Sequence, residues 1–142
     1  MANTRISNAI AITMLNALVD GIDTGGAGSI EIRTGSPPAT CETADSGTLL
    51  AELDFGATAF GTATDGTDKA TVTANSITAE ASCPNPGDAG HFRVKNGSGT
   101  VILQGDVTAT SGGGDMEMSN ITVASGDTVS IGTSYTITLP EA

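Results

Sequence analysis

Apolar side chains recur at helical spacing over residues 4–23 (TRISNAIAITMLNALVDGID), and from Ser29 onward they alternate with polar ones instead. At 100° per residue, Ile6, Ile10, Ala11, Met14, Leu15, Ala17, Leu18, Val19 and Ile22 sweep an arc of roughly 220°, about twice the apolar stripe of an ordinary surface helix. Thr13, Asn16, Asp20 and Asp23 share the narrow remainder. Thr4 or Ser7 can cap the first free N–H groups, and Gly21 followed by Thr24, Gly25 and Gly26 ends the pattern. One sheet cannot cover so wide an arc. The helix is therefore expected to make a second apolar contact, within its own domain or with another subunit, which makes Ile6, Ile10, Met14, Leu18 and Ile22 candidate interface residues.

Beyond the helix the pattern predicts strands near 29–34, 48–55, 69–74, 76–82, 90–96, 100–108, 116–123, 127–132 and 134–139. Alternation is clearest at Ile30/Ile32, Leu49/Ala51/Leu53/Phe55, Phe92/Val94, Val129/Ile131 and Tyr135/Ile137/Leu139. Short strands punctuated by Gly, Ser, Asp and Asn predict a mainly β fold, a sandwich or barrel-like domain of eight or nine strands over about 29–140. The strongest local feature is the hairpin FRVKNGSGTVIL, where Asn96-Gly97-Ser98-Gly99 tolerate turn conformations. Two longer loops, 35–47 and 83–90, carry Pro37, Pro38, Pro84 and Pro86, which keep them out of sheet interiors. There is no linker or clean repeat, so the 142 residues form a single domain.

Composition changes this picture in two respects. Aromatics are 3% of the chain while there are 22 Thr, so the core is expected to be aliphatic with β-branched margins. Sixteen acidic residues stand against five basic ones, a formal charge of −11. Such a chain lacks the basic face needed to displace counterions from nucleic-acid phosphates, and it is repelled by anionic lipid headgroups. Neither nucleic acid nor membrane is expected as a partner. The segment from Ala9 to Val19 resembles a short secretory core, but Thr13 and Asn16 interrupt it and Asp20 and Asp23 follow it. It reads as a retained helix of a protein made in the cytoplasm.

Candidate chemistry is sparse. His91 is the one histidine, and it falls in the strand HFRV, where a surface or strand-end position is expected rather than a catalytic one. No Cys/His spacing makes a zinc site, and Asp65-Gly66-Thr67-Asp68 reads as a polar hairpin turn rather than a calcium loop. Gly112-Gly113-Gly114 lacks the Lys-Ser/Thr of a phosphate loop and reads as a flexible connection. No catalytic residue, cofactor or metal is expected, and an enzyme is the least supported class. Cys41 and Cys83 sit one in each Pro-containing loop, which leaves three states open: an internal disulfide, a staple between chains, or free thiols.

Several segments taken in order resemble small structural proteins of tailed bacteriophages and prophages. They are Thr4-Arg5-Ile6-Ser7-Asn8, Gly25-Gly26-Ala27-Gly28, Arg33-Thr34-Gly35-Ser36-Pro37-Pro38, Leu49-Leu50-Ala51-Glu52-Leu53 and Ala59-Phe60-Gly61. They continue through Ala74-Asn75-Ser76-Ile77-Thr78, His91-Phe92-Arg93-Val94, Gly105-Asp106-Val107 and Thr136-Ile137-Thr138-Leu139-Pro140, and leave out both cysteines. The resemblance implies a virion component assembled in the host bacterial cytoplasm. Its leading form is a capsid decoration or cement protein, bound to the major capsid protein or other virion proteins as a homo-oligomer, with a trimer favoured. A neck, collar or tail protein is the alternative within that class. A carbohydrate-binding or adhesion module is the alternative outside it, with Tyr135 as the single tyrosine and no Trp to stack on sugars.

Overall fold

The structure, a computed structural model, describes residues 5–132 and 135–141. One helix, α1 (Asn8–Ile22), precedes ten strands: β1 (Ser29–Thr34), β2 (Leu49–Phe55), β3 (Thr64–Gly66), β4 (Lys69–Thr73), β5 (Ile77–Thr78), β6 (Gly87–Lys95), β7 (Val101–Ala109), β8 (Met116–Met118), β9 (Thr122–Val123) and β10 (Thr136–Pro140). The larger sheet runs β5-β2-β1-β6-β7-β8, with β9 paired to the start of β6; the smaller runs β10-β4-β3. The fold is thus mainly β with one N-terminal helix, as the alternation predicts.

Even-numbered Ile30, Ile32, Phe92 and Val94 on β1 and β6 turn inward and are almost wholly buried, which follows from the period of two. They join α1 and the inner residues Ala70 and Val72 of β4 in one core cluster, so helix and both sheets share a single interior. Besides Phe92, its aromatic side chains Phe55, Phe60 and Tyr135 form a chain of ring contacts, with centroids 5.4 and 6.0 Å apart.

The 96–99 hairpin forms as expected, with Asn96 N–H donating to Thr100 O at 2.9 Å and the Asn96 side chain accepting from Ser98 and Thr100 N–H. Gly97 is required there for a different reason than turn conformation. A Cβ at that position would lie 2.7 Å from the backbone of Gly25 and Gly26, where the chain leaves α1. Thr67 and Asp68 make the predicted polar turn, joining β3 to β4, although β3 itself was not expected.

Several boundaries move. The helix begins at Asn8, with Ser7 as its N-cap, because Ile6 N–H instead donates to Glu141 O at 3.3 Å. The expected start at Thr4 lies outside the described residues. The strand expected at 116–123 divides into β8 and β9, and those at 76–82 and 127–132 reduce to β5 and a single bridge between Glu80 and Val129. The strand expected at 134–139 begins outside the described residues and is seen as β10.

β7 and β8 are parallel although only residues 110–115 join them, far fewer than a parallel crossover normally needs. Side chains replace the missing scaffold. The Glu117 carboxylate accepts from Ser111 and Gly113 N–H, Thr108 Oγ1 from Gly114 N–H, and Asp115 from Asp106 N–H. Gly112-Gly113-Gly114 is therefore a tightly held turn rather than a flexible connection, since a Cβ at Gly112 or Gly114 would lie 2.7 Å from Thr108.

Candidate functional surfaces

α1 presents its buried face, Ala11, Leu15, Val19 and Ile22, chiefly to β4. Burial of Leu15, Val19 and Ile22 stabilises the fold by about 1.5–3 kcal/mol each. Thr13 and Asp20 face water as the sequence implies, but Asn16 and Asp23 turn to the protein instead. Asn16 Oδ1 accepts from Ala63 N–H at 2.8 Å and Asp23 Oδ1 from Ala59 N–H at 2.9 Å. Ala59 and Ala63 are buried in a segment with little ladder pairing, so their N–H groups need acceptors and the helix turns to supply them. The consequence is that Ile10 and Met14 face solvent, 51% and 50% exposed. Of the candidate interface residues, Ile6 and Leu18 are half-buried against the core, while Ile22 is fully buried within the chain and is a core residue rather than a contact residue.

The odd-numbered face of β1 and β6 carries charge instead of apolar side chains. Glu31, Arg33, Arg93 and Lys95 lie on it in register, and loop 35–47 folds across them. Asp45 descends from that loop to Arg93 at 2.6 Å, Lys95 at 2.7 Å and Arg33 at 3.3 Å. Glu31 bonds both Arg33 and Lys95 at 2.7 Å. Arg93, 1% exposed, also donates to the carbonyls of Cys41 and Thr43 at 2.8 and 2.9 Å. His91 Nδ1 sits 2.9 Å from Gly35 O, and the Gln104 amide donates to Pro38 O at 2.6 Å. His91 is therefore fully buried under the loop, which corrects the expected surface position. Partial burial pushes the Asp45 carboxyl up, yet hydrogen bonds from Lys95 and Arg93 outweigh it and hold the group below the usual carboxylate range. Burial likewise lowers Lys95, and Asp45 and Glu31 more than offset this, so its ammonium is held above its ordinary value.

The two cysteines are not joined: both are free. Cys41, half-buried, belongs to the loop pinned by Arg93. Cys83 is buried elsewhere, its backbone paired to Asp127 and Gly126. Burial, then the charges of Glu80 and Asp127, push its thiol up.

A groove of about 860 Å³ opens between β8 and the 127–132 segment. Ile32, Met116, Val123, Val129, Ile131 and Tyr135 contribute its apolar surface, and Asp115, Glu117 and Asp127 contribute carboxylates without any Lys or Arg. The Tyr135 phenol is pushed up to about 12 by burial and by the neighbouring Asp115 charge. Hydropathy patterning had no means of finding this groove, because its walls come from four separate segments.

Among the described residues no group of three or more His, Cys, Asp or Glu side chains could hold a metal ion, and no helix is long and apolar enough to cross a membrane. Comparisons of the chain with protein-family models, curated proteins and solved structures found no match.

Proposed function

We propose that the protein is a structural component of a tailed-phage virion, a capsid decoration or cement protein that covers the outer capsid as a homo-oligomer. The favoured state is a trimer, with the major capsid protein as partner. The observation that carries the reading is the uncovered apolar face of α1. Residues 6–19 contain no charged side chain, in a chain whose formal charge is −11. Copies of so acidic a protein repel one another, and a charge-free face with Ile10 and Met14 half-exposed is where they can approach. Covering the exposed half of those two side chains is worth about 1 kcal/mol each, so the face contributes part of an interface and many copies supply the rest. The resemblance of the ordered segments from Thr4 to Pro140 supports the virion assignment in particular.

Replacing Ile10 and Met14 together by Asp is expected to shift the protein towards monomer in sizing chromatography while its thermal midpoint stays near the parent's. Equal loss of assembly and stability would overturn the interface. Gold-labelled antibody on intact particles is expected to decorate the whole shell. Labelling confined to one vertex would move the protein to the neck or tail, and particles that lack the protein altogether would overturn the virion reading.

A further inference from the structure

The groove beside β8 does not belong to the helix face, and its chemistry is specific. Its floor is apolar, through Met116, Ile131 and Tyr135, and methionine adapts its shape to different occupants. Its rim is acidic. Asp115 and Asp127 each spend one oxygen on a backbone N–H, from Asp106 at 3.1 Å and from Ala124 at 2.8 Å, while Glu117 spends both on the 110–115 turn. One oxygen of Asp115 and one of Asp127 therefore remain for a ligand, with no cation in the lining to neutralise them. β8 also ends its sheet: it pairs with β7 on one side and with no strand on the other among the described residues. The volume falls within the range of about 300–1,000 Å³ typical of ligand sites.

We propose that this groove docks an extended segment of another protein in which basic side chains alternate with apolar ones. The segment adds as a strand along the free edge of β8, places its apolar side chains on Met116, Ile131 and Tyr135, and turns a Lys or Arg to Asp115 and Asp127. The alternation of a strand satisfies both surfaces at once, because successive side chains point to opposite faces. Acidic segments, including most of this chain, are excluded by repulsion. The inference does not rest on the virion reading or on the helix face, and either can fail without the other.

Tyr135 makes the test direct, since the chain has one tyrosine and no Trp, so tyrosine fluorescence reports the groove alone. The probes are an acetylated, amidated Val-Arg-Val-Lys-Val peptide, its counterpart with both basic residues replaced by Glu, and a neutral glucose hexasaccharide. Saturable change with the basic peptide is expected, weakened about tenfold between about 0.05 and 0.5 M salt. The double variant Asp115→Asn, Asp127→Asn keeps the oxygens that accept from the backbone and is expected to lose about tenfold in affinity. Ile131→Lys, which puts a positive charge on the floor, provides the same loss should the double variant fail to fold. Equal binding of the acidic peptide, a response to the hexasaccharide instead, no saturable change with the basic peptide, or folded variants that bind as well as the parent would each overturn the proposal.

Discussion

Arg93 shows how one side chain can organise a region. Its guanidinium fork reaches Asp45 and the carbonyls of Cys41 and Thr43 at once, which a lysine's single ammonium cannot reproduce. Arg93→Ala is expected to cost about 3 kcal/mol, the low end for breaking a buried ion pair, because Asp45 keeps Lys95 and Arg33. Denaturant midpoints measure the loss, and faster hydrogen exchange confined to 35–47 would place it in the loop; unchanged exchange there would refute the pinning role. The cysteines separate at the same scale. Cys41 is expected to alkylate quickly in the native protein and Cys83 only on unfolding, since burial both hides the second thiol and disfavours its thiolate. Mass spectrometry of timed samples distinguishes them, and equal rates would contradict the described burial.

For the helix, the decisive contacts are polar. Asn16→Ala leaves the buried Ala63 N–H without an acceptor, a penalty of about 1–3 kcal/mol that its exposed neighbours Thr13 and Ala17 should not show. A Tm series of alanine or serine substitutions at the three positions tests this, and a neutral Asn16 variant would mean that the helix is seated by its apolar face alone. The helical pattern was legible in the spacing of Ile6 to Ile22, and Ser7 was one of the two candidate caps it offered. Which face turns inward was not legible, because the requirement comes from Ala59 and Ala63, some forty residues away, whose N–H groups lack strand partners. The same distinction separates β1 from β8. Ile30 and Ile32 announce β1 locally, whereas β8 exists in parallel with β7 only because Glu117, Thr108 and Asp115 hold the intervening turn.

Across the whole molecule the charge groups set a pH window. Asp45 is depressed when folded, so its stabilisation is complete above its unfolded pKa and is lost as pH falls through the folded value. Lys95, Cys83 and Tyr135 are raised when folded, so theirs is complete below the unfolded values and is lost as pH rises through the folded ones. These four groups are expected to lower stability as pH falls below about 4 or rises above about 8.5, the ordinary carboxylate and thiol values. Thermal melts across pH check this, with Asp45→Asn flattening the acid limb and Cys83→Ser the first part of the alkaline one; unaltered limbs would assign the dependence to other groups. The sequence by itself determined the β class, the N-terminal helix, the 96–99 hairpin and the acidic surface, because each depends on side-chain period, turn chemistry or charge within a few residues. Only the tertiary structure decided that β6 buries His91 and Arg93 on its polar face, that Ile10 and Met14 are left uncovered, and that a groove opens beside β8. Those outcomes depend on where a distant loop lies and which buried N–H groups it leaves unpaired, and no local pattern records either.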